Sequence, residues 1–302
     1  MWFWLSLLAL LCWSGSDLFS KIGCRDAKDP LSHLKMVIAV GVVMGLHAAY
    51  EIFVGGTEIS MQVILTYLPV SLLYISSMTV GYLGLRYIEL SVSSPIANSS
   101  GALVAIMTLI MVGIDEYSPL ALAAVALVCI GVIGLGVVEY REDEELRAER
   151  QKASNYKYSK SFLALALPII YCVLDAAGTF ADNRVLETLD EGSANVAYEL
   201  TFLAAAVVCF IYVVIIKKDK LVPKMEGPKY LGAICETAGQ FAYIYAIADT
   251  EHLAMSAPII ASYCAVSVLW GRIFLKEKLS FKHYLMILLV VIGIAIMGFF
   301  DM

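Results

Sequence analysis

The stretch Tyr245–Gly298, YAIADTEHLAMSAPIIASYCAVSVLWGRIFLKEKLSFKHYLMILLVVIGIAIMG, decides the fold of this chain. It reads as the end of one apolar helix, a tight polar corner, a second apolar helix opened by Pro258, a charged turn and a third apolar helix. An earlier stretch, Tyr82–Gly136, follows the same plan: YLGLRYIELSVSSPIANSSGALVAIMTLIMVGIDEYSPLALAAVALVCIGVIGLG. Tyr82 pairs with Tyr245, Pro95-Ile96 with Pro258-Ile259, Asp115 with Glu277 and Gly131 with Gly293, all offset by 162 or 163 positions. Self-similarity at a fixed offset marks a duplicated unit, and here it implies a protein of two halves.

Composition fixes the class. Hydrophobic residues make up 60% of the chain and the mean hydropathy is +0.80. Soluble domains are roughly half apolar. Runs of about twenty apolar residues recur along the whole length, each long enough to cross a ~30 Å hydrocarbon core. The expectation is an all-α integral membrane protein with ten transmembrane helices, near residues 2–21, 34–54, 62–85, 90–113, 118–138, 161–182, 194–216, 228–248, 252–273 and 281–300. The opening WFWLSLLALLCWSGS lacks the basic start of a signal peptide and reads as a retained first span. Seven cysteines form no CxxC pair and read as small core residues.

The long charged connection EYREDEELRAERQKASNYKYSK, Glu139–Lys160, falls midway. It divides the chain into a first five-helix repeat, 1–140, a charged linker, 141–160, and a second five-helix repeat, 161–302. The linker's residues favour a solvated helix and not a nucleic-acid site. With ten spans, the lysines and arginines gather in the loops after spans 1, 3, 5, 7 and 9, Arg184 being the clear exception. The positive-inside rule makes that side cytoplasmic, with both termini extracytoplasmic and the chain in the plasma (inner) membrane. Because five is odd, the repeats are inverted, an arrangement that places a binding site near the midplane at their interface.

Ionisable residues inside a span are costly and are functional candidates by default. Trp13-x-x-x-Asp17 in span 1 and Tyr171-x-x-x-Asp175 in span 6 each put ring and carboxylate on one helix face, at positions 158 apart. An ion pair of Asp17 with Lys21 is the competing reading of the first pair. Span 8 carries Glu236, Gln240 and Tyr243 on one face, with Glu236 near the expected midplane. Such a carboxylate must be protonated, face water or meet a partner, so Glu236 and Asp175 are the candidates for proton coupling. Asn98 in span 4 and Tyr263 in span 9 follow the paired prolines and complete the candidate set with Glu199 of span 7, for which snorkelling or capping competes. Tyr74 and Trp270 are weaker candidates. Asp182 and Arg184 read as interfacial, and His47, beside Tyr50 and Glu51, as an interior hydrogen-bonding group. Gly41-x-x-x-Gly45 permits close helix packing within the monomer or, less favoured, across a homodimer.

The SAPII run opening span 9, the LKEKLS turn and the glycine-bearing last helix resemble the EamA family of the drug/metabolite transporter superfamily, with a weaker copy in the first half. The resemblance implies ten helices in two inverted repeats around a central cavity, and gradient-driven transport of a small solute. The deep ionisable residues are acidic, while lysines and arginines lie at span ends. A phosphate-bearing cargo would want an interior cation. Carboxylates beside aromatic rings instead suit an organic cation, since ring faces attract ammonium groups. The expectation is a proton-coupled carrier of an amine or quaternary ammonium compound by alternating access. A zwitterionic or amino-acid exporter comes second, and a lipid flippase or non-transporting membrane scaffold third. An enzyme is disfavoured by the lack of an HExxH, a nucleophile elbow or a metal-spaced Cys/His set. No cofactor is expected; the partners are the solute, protons and the lipid bilayer.

Overall fold

The structure, a computed structural model, describes residues 1–25, 29–87, 90–141, 162–277 and 279–298. The linker expected at 141–160 lies, apart from Arg141, outside the described residues. In chain order the helices are α1 (Trp2–Cys24), α2 (Ser32–Tyr50, extended by a π-helical turn to Gly55), α3 (Met61–Gly84), α4 (Leu90–Ala97), α5 (Ser100–Val112) and α6 (Pro119–Tyr140). They continue as α7 (Phe162–Val185), α8 (Glu191–Phe210, extended by a π-helical turn to Ile216), α9 (Pro223–Ile247), α10 (Leu253–Ala261), α11 (Tyr263–Phe274) and α12 (Phe281–Gly298). No strand occurs among the described residues.

Helices are what this composition dictates, because a chain in hydrocarbon must bond its own backbone within each segment. Seven stretches among the described residues are long and apolar enough to cross a membrane: Trp2–Cys24, Ser32–Gly55, Met61–Gly84, Ser93–Val112, Pro119–Val138, Glu191–Ile216 and Thr250–Phe274. The shorter Phe281–Met297 is also apolar. The remaining helices, α7 and α9, occupy the sixth and eighth expected positions and carry the polar residues Asp175, Asp182, Glu236 and Gln240. Outward faces carry exposed apolar side chains such as Leu46, Phe53, Ile110 and Val208, as expected where the solvent is lipid. The chain is an all-α, multi-pass membrane protein.

Local chemistry sets the helix ends. Ser60 Oγ accepts the Val63 N–H to cap α3, and Asp190 accepts the Ser193 N–H to cap α8. Pro223 opens α9, where its missing N–H is not needed.

Pro95 and Pro258 do not open helices as expected. They lie inside α4 and α10, because the chain is already helical upstream: Asp249 caps a short turn, Thr250–His252, that runs directly into Leu253. Breaks follow each proline instead, at Asn98–Ser99 and at Ser262. There the backbone tightens to i→i−3 bonds (Gly101 N–H to Asn98 O, Ala265 N–H to Ser262 O). Side chains bond the carbonyls of the preceding turn: Asn98 Nδ2 donates to Ser94 O, Ser99 Oγ to Pro95 O and Ser262 Oγ to Ile259 O. Both expected spans are therefore broken helices.

The packing has a two-fold pattern. α1 lies along α9 as α3 lies along α7 and α5 crosses α10 as α4 crosses α11, while α2–α8 and α6–α12 are each self-related when first-half helices are exchanged for their second-half counterparts. Glycines make these contacts close. A Cβ on Gly41 would lie 2.4 Å from the Cβ of Ala206 on α8, so the Gly41–Gly45 face packs within the chain. Gly131 faces Val290 and Gly293 faces Val128, a reciprocal pair at the α6–α12 crossing.

Candidate functional site

α1, α3, α4, α5, α7, α8, α9, α10 and α11 wall a central cavity of about 80 Å³, room for several waters or a small solute. Nine of the ten site residues proposed from the sequence line it: Trp13, Asp17, Asn98, Tyr171, Asp175, Glu236, Gln240, Tyr243 and Tyr263. They converge because the i, i+4 and i+7 spacings keep each set on one helix face, and the broken α4–α5 and α10–α11 helices bring Asn98 and Tyr263 to the same space.

Three carboxylates share this cavity, each met by a serine hydroxyl. Ser94 Oγ donates to Asp17 (2.5 Å), Ser100 Oγ to Asp175 (2.7 Å) and Ser16 Oγ to Glu236 (2.7 Å). All three acids keep part of their surface exposed. Around them stand Trp13 and the tyrosines 74, 82, 171, 198, 243 and 263. Trp13 packs 5.0 Å from the Tyr243 ring and 5.8 Å from Tyr263, centroid to centroid. No lysine, arginine or histidine is found among the described lining residues. Three of the lining residues carry a buried donor, Trp13 Nε1, Tyr82 Oη and Gln240 Nε2, that has no partner among the described residues.

The cations are engaged elsewhere. Lys21 Nζ donates to the Leu85 carbonyl (2.8 Å), while the carboxylate of Asp17 turns to Ser94. Lys35 bridges Asp29 and Asp219, both at 3.1 Å, and Lys229 pairs with Glu226 at 3.0 Å. The hydrogen bond from Lys35 holds the Asp219 carboxyl below its usual value, so this loop acid stays ionised.

One expectation fails on geometry. Glu199 lies outside the cavity, because its face of α8 turns to α2. There it is fully buried, bonded to His47 Nδ1 (2.8 Å) and to Asn195 Nδ2 (3.1 Å). His47 thus makes the interior hydrogen bond expected of it. Asp182, read from the sequence as interfacial, is enclosed by the protein. It is fully buried, accepting from Tyr67 Oη at 2.6 Å and Tyr74 Oη at 3.3 Å. α7 runs on to Val185, which carries Asp182 about a turn inside the helix end. Arg184 does lie exposed, paired with Glu187 at 2.7 Å. Trp270 stays out of the cavity lining and donates to Ser14 Oγ, whereas Tyr74 lines it.

Sequence reading missed Tyr82, Tyr198 and Thr179, which also line the cavity. A signal existed for two of them: Tyr74, Met78 and Tyr82 recur every four residues on α3, and Thr179 stands four after Asp175.

Residues 161–299 match the EamA-like transporter family. That match lies in the second half of the chain and spans a little under half of its length. The family is one of membrane transporters within the drug/metabolite transporter superfamily, not of enzymes. A solved crystal structure, described simply as that of a protein, is similar at a TM-score of 0.62 and 14% identity. The match covers 98% of this chain and 96% of that one, and at such identity it speaks for the fold alone. No curated protein matches the chain.

Proposed function

We propose that this protein is an EamA-type secondary transporter of a small organic cation, an amine or quaternary ammonium compound, coupled to protons. One observation carries the reading: Asp17, Asp175 and Glu236 face a single aromatic-walled cavity with no cationic side chain among its described lining residues. A cation entering there meets carboxylates and ring faces together. An anion would meet uncompensated negative charge. Glu236 and Asp175 exchange a proton for the cation, and the halves 1–140 and 161–302 rock about the cavity to alternate access. A pocket walled by helices and lined by polar side chains supports a solute over a lipid. The basic loops face the cytoplasm of a plasma-membrane protein whose termini lie outside. A C-terminal reporter that reads cytoplasmic overturns that orientation.

A second reading, a zwitterion such as an amino acid, draws on the unpartnered donors Trp13 Nε1, Tyr82 Oη and Gln240 Nε2, which suit a carboxylate on the same solute.

A thermal-stability screen of the purified protein against amines, quaternary ammoniums, amino acids and organic anions tests both. A ligand at one hundred times its Kd adds about 2.7 kcal/mol to native stability. The cation reading expects stabilisation by amines that is lost in Asp175→Asn and Glu236→Gln. Stabilisation only by amino acids selects the second reading, and stabilisation by anions or lipids alone removes both.

A further inference from the structure

Beside the cavity lies an acid that the transport scheme leaves unused. Asp182 is fully buried, and so is Tyr67, whose hydroxyl donates to Asp182 Oδ1 at 2.6 Å. Tyr74 Oη reaches Asp182 Oδ2 at 3.3 Å and is itself in short hydrogen-bond contact with Tyr243 Oη. Thr179 Oγ1 lies 3.3 Å from Tyr74 Oη and 3.2 Å from Tyr243 Oη. Tyr74, Tyr243 and Thr179 line the cavity, whereas Asp182 and Tyr67 do not. The chain Tyr243–Tyr74–Asp182 therefore leads from the cavity into a sealed site, and its members come from three helices, α9, α3 and α7. The cavity acids meet serine hydroxyls and keep some exposure; Asp182 is closed off behind tyrosines.

Titratable groups face Asp182 from each side: Tyr67 and Tyr74 on α3, Tyr198 on α8 and Tyr243 on α9. On its own helix stand Asp175, two turns away, and Arg184, which turns outward to Glu187. No cation pairs with Asp182 among the described residues. A sealed carboxylate held only by hydroxyl groups is costly as an ion, and a proton removes that cost.

We infer that Asp182 is a second proton-binding site, filled from the cavity through Tyr243 and Tyr74. With Asp182 ionised, the hydroxyl donors line up toward it: Tyr243 to Tyr74, and Tyr74 and Tyr67 to the carboxylate. When a proton reaches Tyr243 from the cavity, Tyr243 passes its own to Tyr74 and Tyr74 passes its own to Asp182 Oδ2. Counting the bond lost by the water or acid in the cavity that donates the proton, three O–H bonds form and three break, and the net change is one proton moved from the cavity onto Asp182 with both phenols restored. The neutral acid then donates back toward Tyr74, so every bond in the chain reverses. Because the chain ties α3 to α7 and α9, its reversal is a local event that the opposed halves can feel. That purpose rests on the transport reading; the proton site itself does not.

Infrared difference spectroscopy of the purified full-length protein, titrated with acid and needing no transported solute, tests it. A carboxylic-acid carbonyl band is expected that disappears in Asp182→Asn, persists in Asp175→Asn and Glu236→Gln, and shifts in frequency in Tyr67→Phe. After a pH jump the band rises more slowly in Tyr74→Phe, which breaks the chain from the cavity. Should Asp182→Asn fail to fold, Tyr67→Phe still reports, since it keeps the acid and removes its shortest hydrogen bond. A titrating band set unchanged in Asp182→Asn, or unmoved in Tyr67→Phe, overturns the site. An unslowed band in Tyr74→Phe overturns the route. A protein that no amine stabilises yet shows the Asp182 band loses the cation reading and keeps this one.

Discussion

The two halves of the protein repeat a frame but not a chemistry. Trp13 and Asp17 on α1 correspond to Tyr171 and Asp175 on α7, both pairs 158 residues apart, and all four line the cavity. The glycines that receive the rings correspond as well. A Cβ on Gly239 would lie 2.4 Å from Trp13 Cδ1, and one on Gly81 would lie 2.8 Å from Tyr171 Cδ2. At the same offset, however, Glu236 is matched by Met78 and Asp182 by Cys24. Met78 offers its sulfur to Tyr198 Oη, and Cys24 is buried against the Ser32 carbonyl. The second half thus adds two acids to a shared cradle. Duplication supplies a symmetric cavity, and the departures from symmetry supply groups that can hold a proton.

The largest expected effect breaks this asymmetry directly. Glu236→Gln keeps the length of the side chain and a partner for Ser16 but removes the titrating group. Proton-driven flux in proteoliposomes should vanish while the protein stays folded. Losing a hydrogen bond to a charged group costs roughly 1.5–3 kcal/mol, so amine affinity should fall about 10- to 100-fold. Met78→Leu, at the corresponding position, should leave coupling intact. Coupled flux undiminished in Glu236→Gln would take that residue out of the mechanism, and with it half of the contrast between the repeats.

Most of the frame is legible in the residues themselves. Apolar run length sets the membrane class, and the 162–163-residue offset ties Pro95 to Pro258 and Gly131 to Gly293. Cavity residues are legible where helical spacing puts them on one face, as with Glu236, Gln240 and Tyr243. What escapes is depth. A helix that runs three residues past its expected end encloses Asp182 in the protein, although Asp175 and Asp182 stand seven apart and share a face. Glu199 escapes for another reason: spacing says which residues share a face, not which neighbour that face meets. Its neighbour is His47 on α2. The breaks after Pro95 and Pro258 depend on side chains bonding particular carbonyls, a choice made only once the helices have formed.

A smaller effect sharpens the comparison of cradles. Gly81→Ala and Gly239→Ala each push a methyl group against a ring edge. Overpacking of this kind costs typically 1–3 kcal/mol. If the halves pack alike, the two variants lose similar amounts of thermal stability, with Gly239→Ala somewhat worse because its approach is closer. A loss confined to one variant would mean that the repeated sequence positions do not bear equivalent load.

The smallest expected effect concerns how the corresponding helices α2 and α8 begin. The N-cap of α2 is Leu31, which offers no side-chain acceptor, whereas Asp190 caps α8 by accepting the Ser193 N–H at 2.8 Å. Burial alone would raise the Asp190 carboxyl, but hydrogen bonds from backbone N–H groups, Ser193's first and Gly192's after it, outweigh it and hold it below the usual value. A group whose folded value is depressed stabilises the native state above its unfolded value, near pH 4, and loses that contribution as pH falls through the folded value. Asp190→Ala should therefore cost about 1 kcal/mol at neutral pH. The gap in Tm between variant and parent should close on acidification below pH ~4. A gap that persists unchanged into acid would mean that the side chain acts by packing and not as an ionised cap, and α8 would then start no differently from α2.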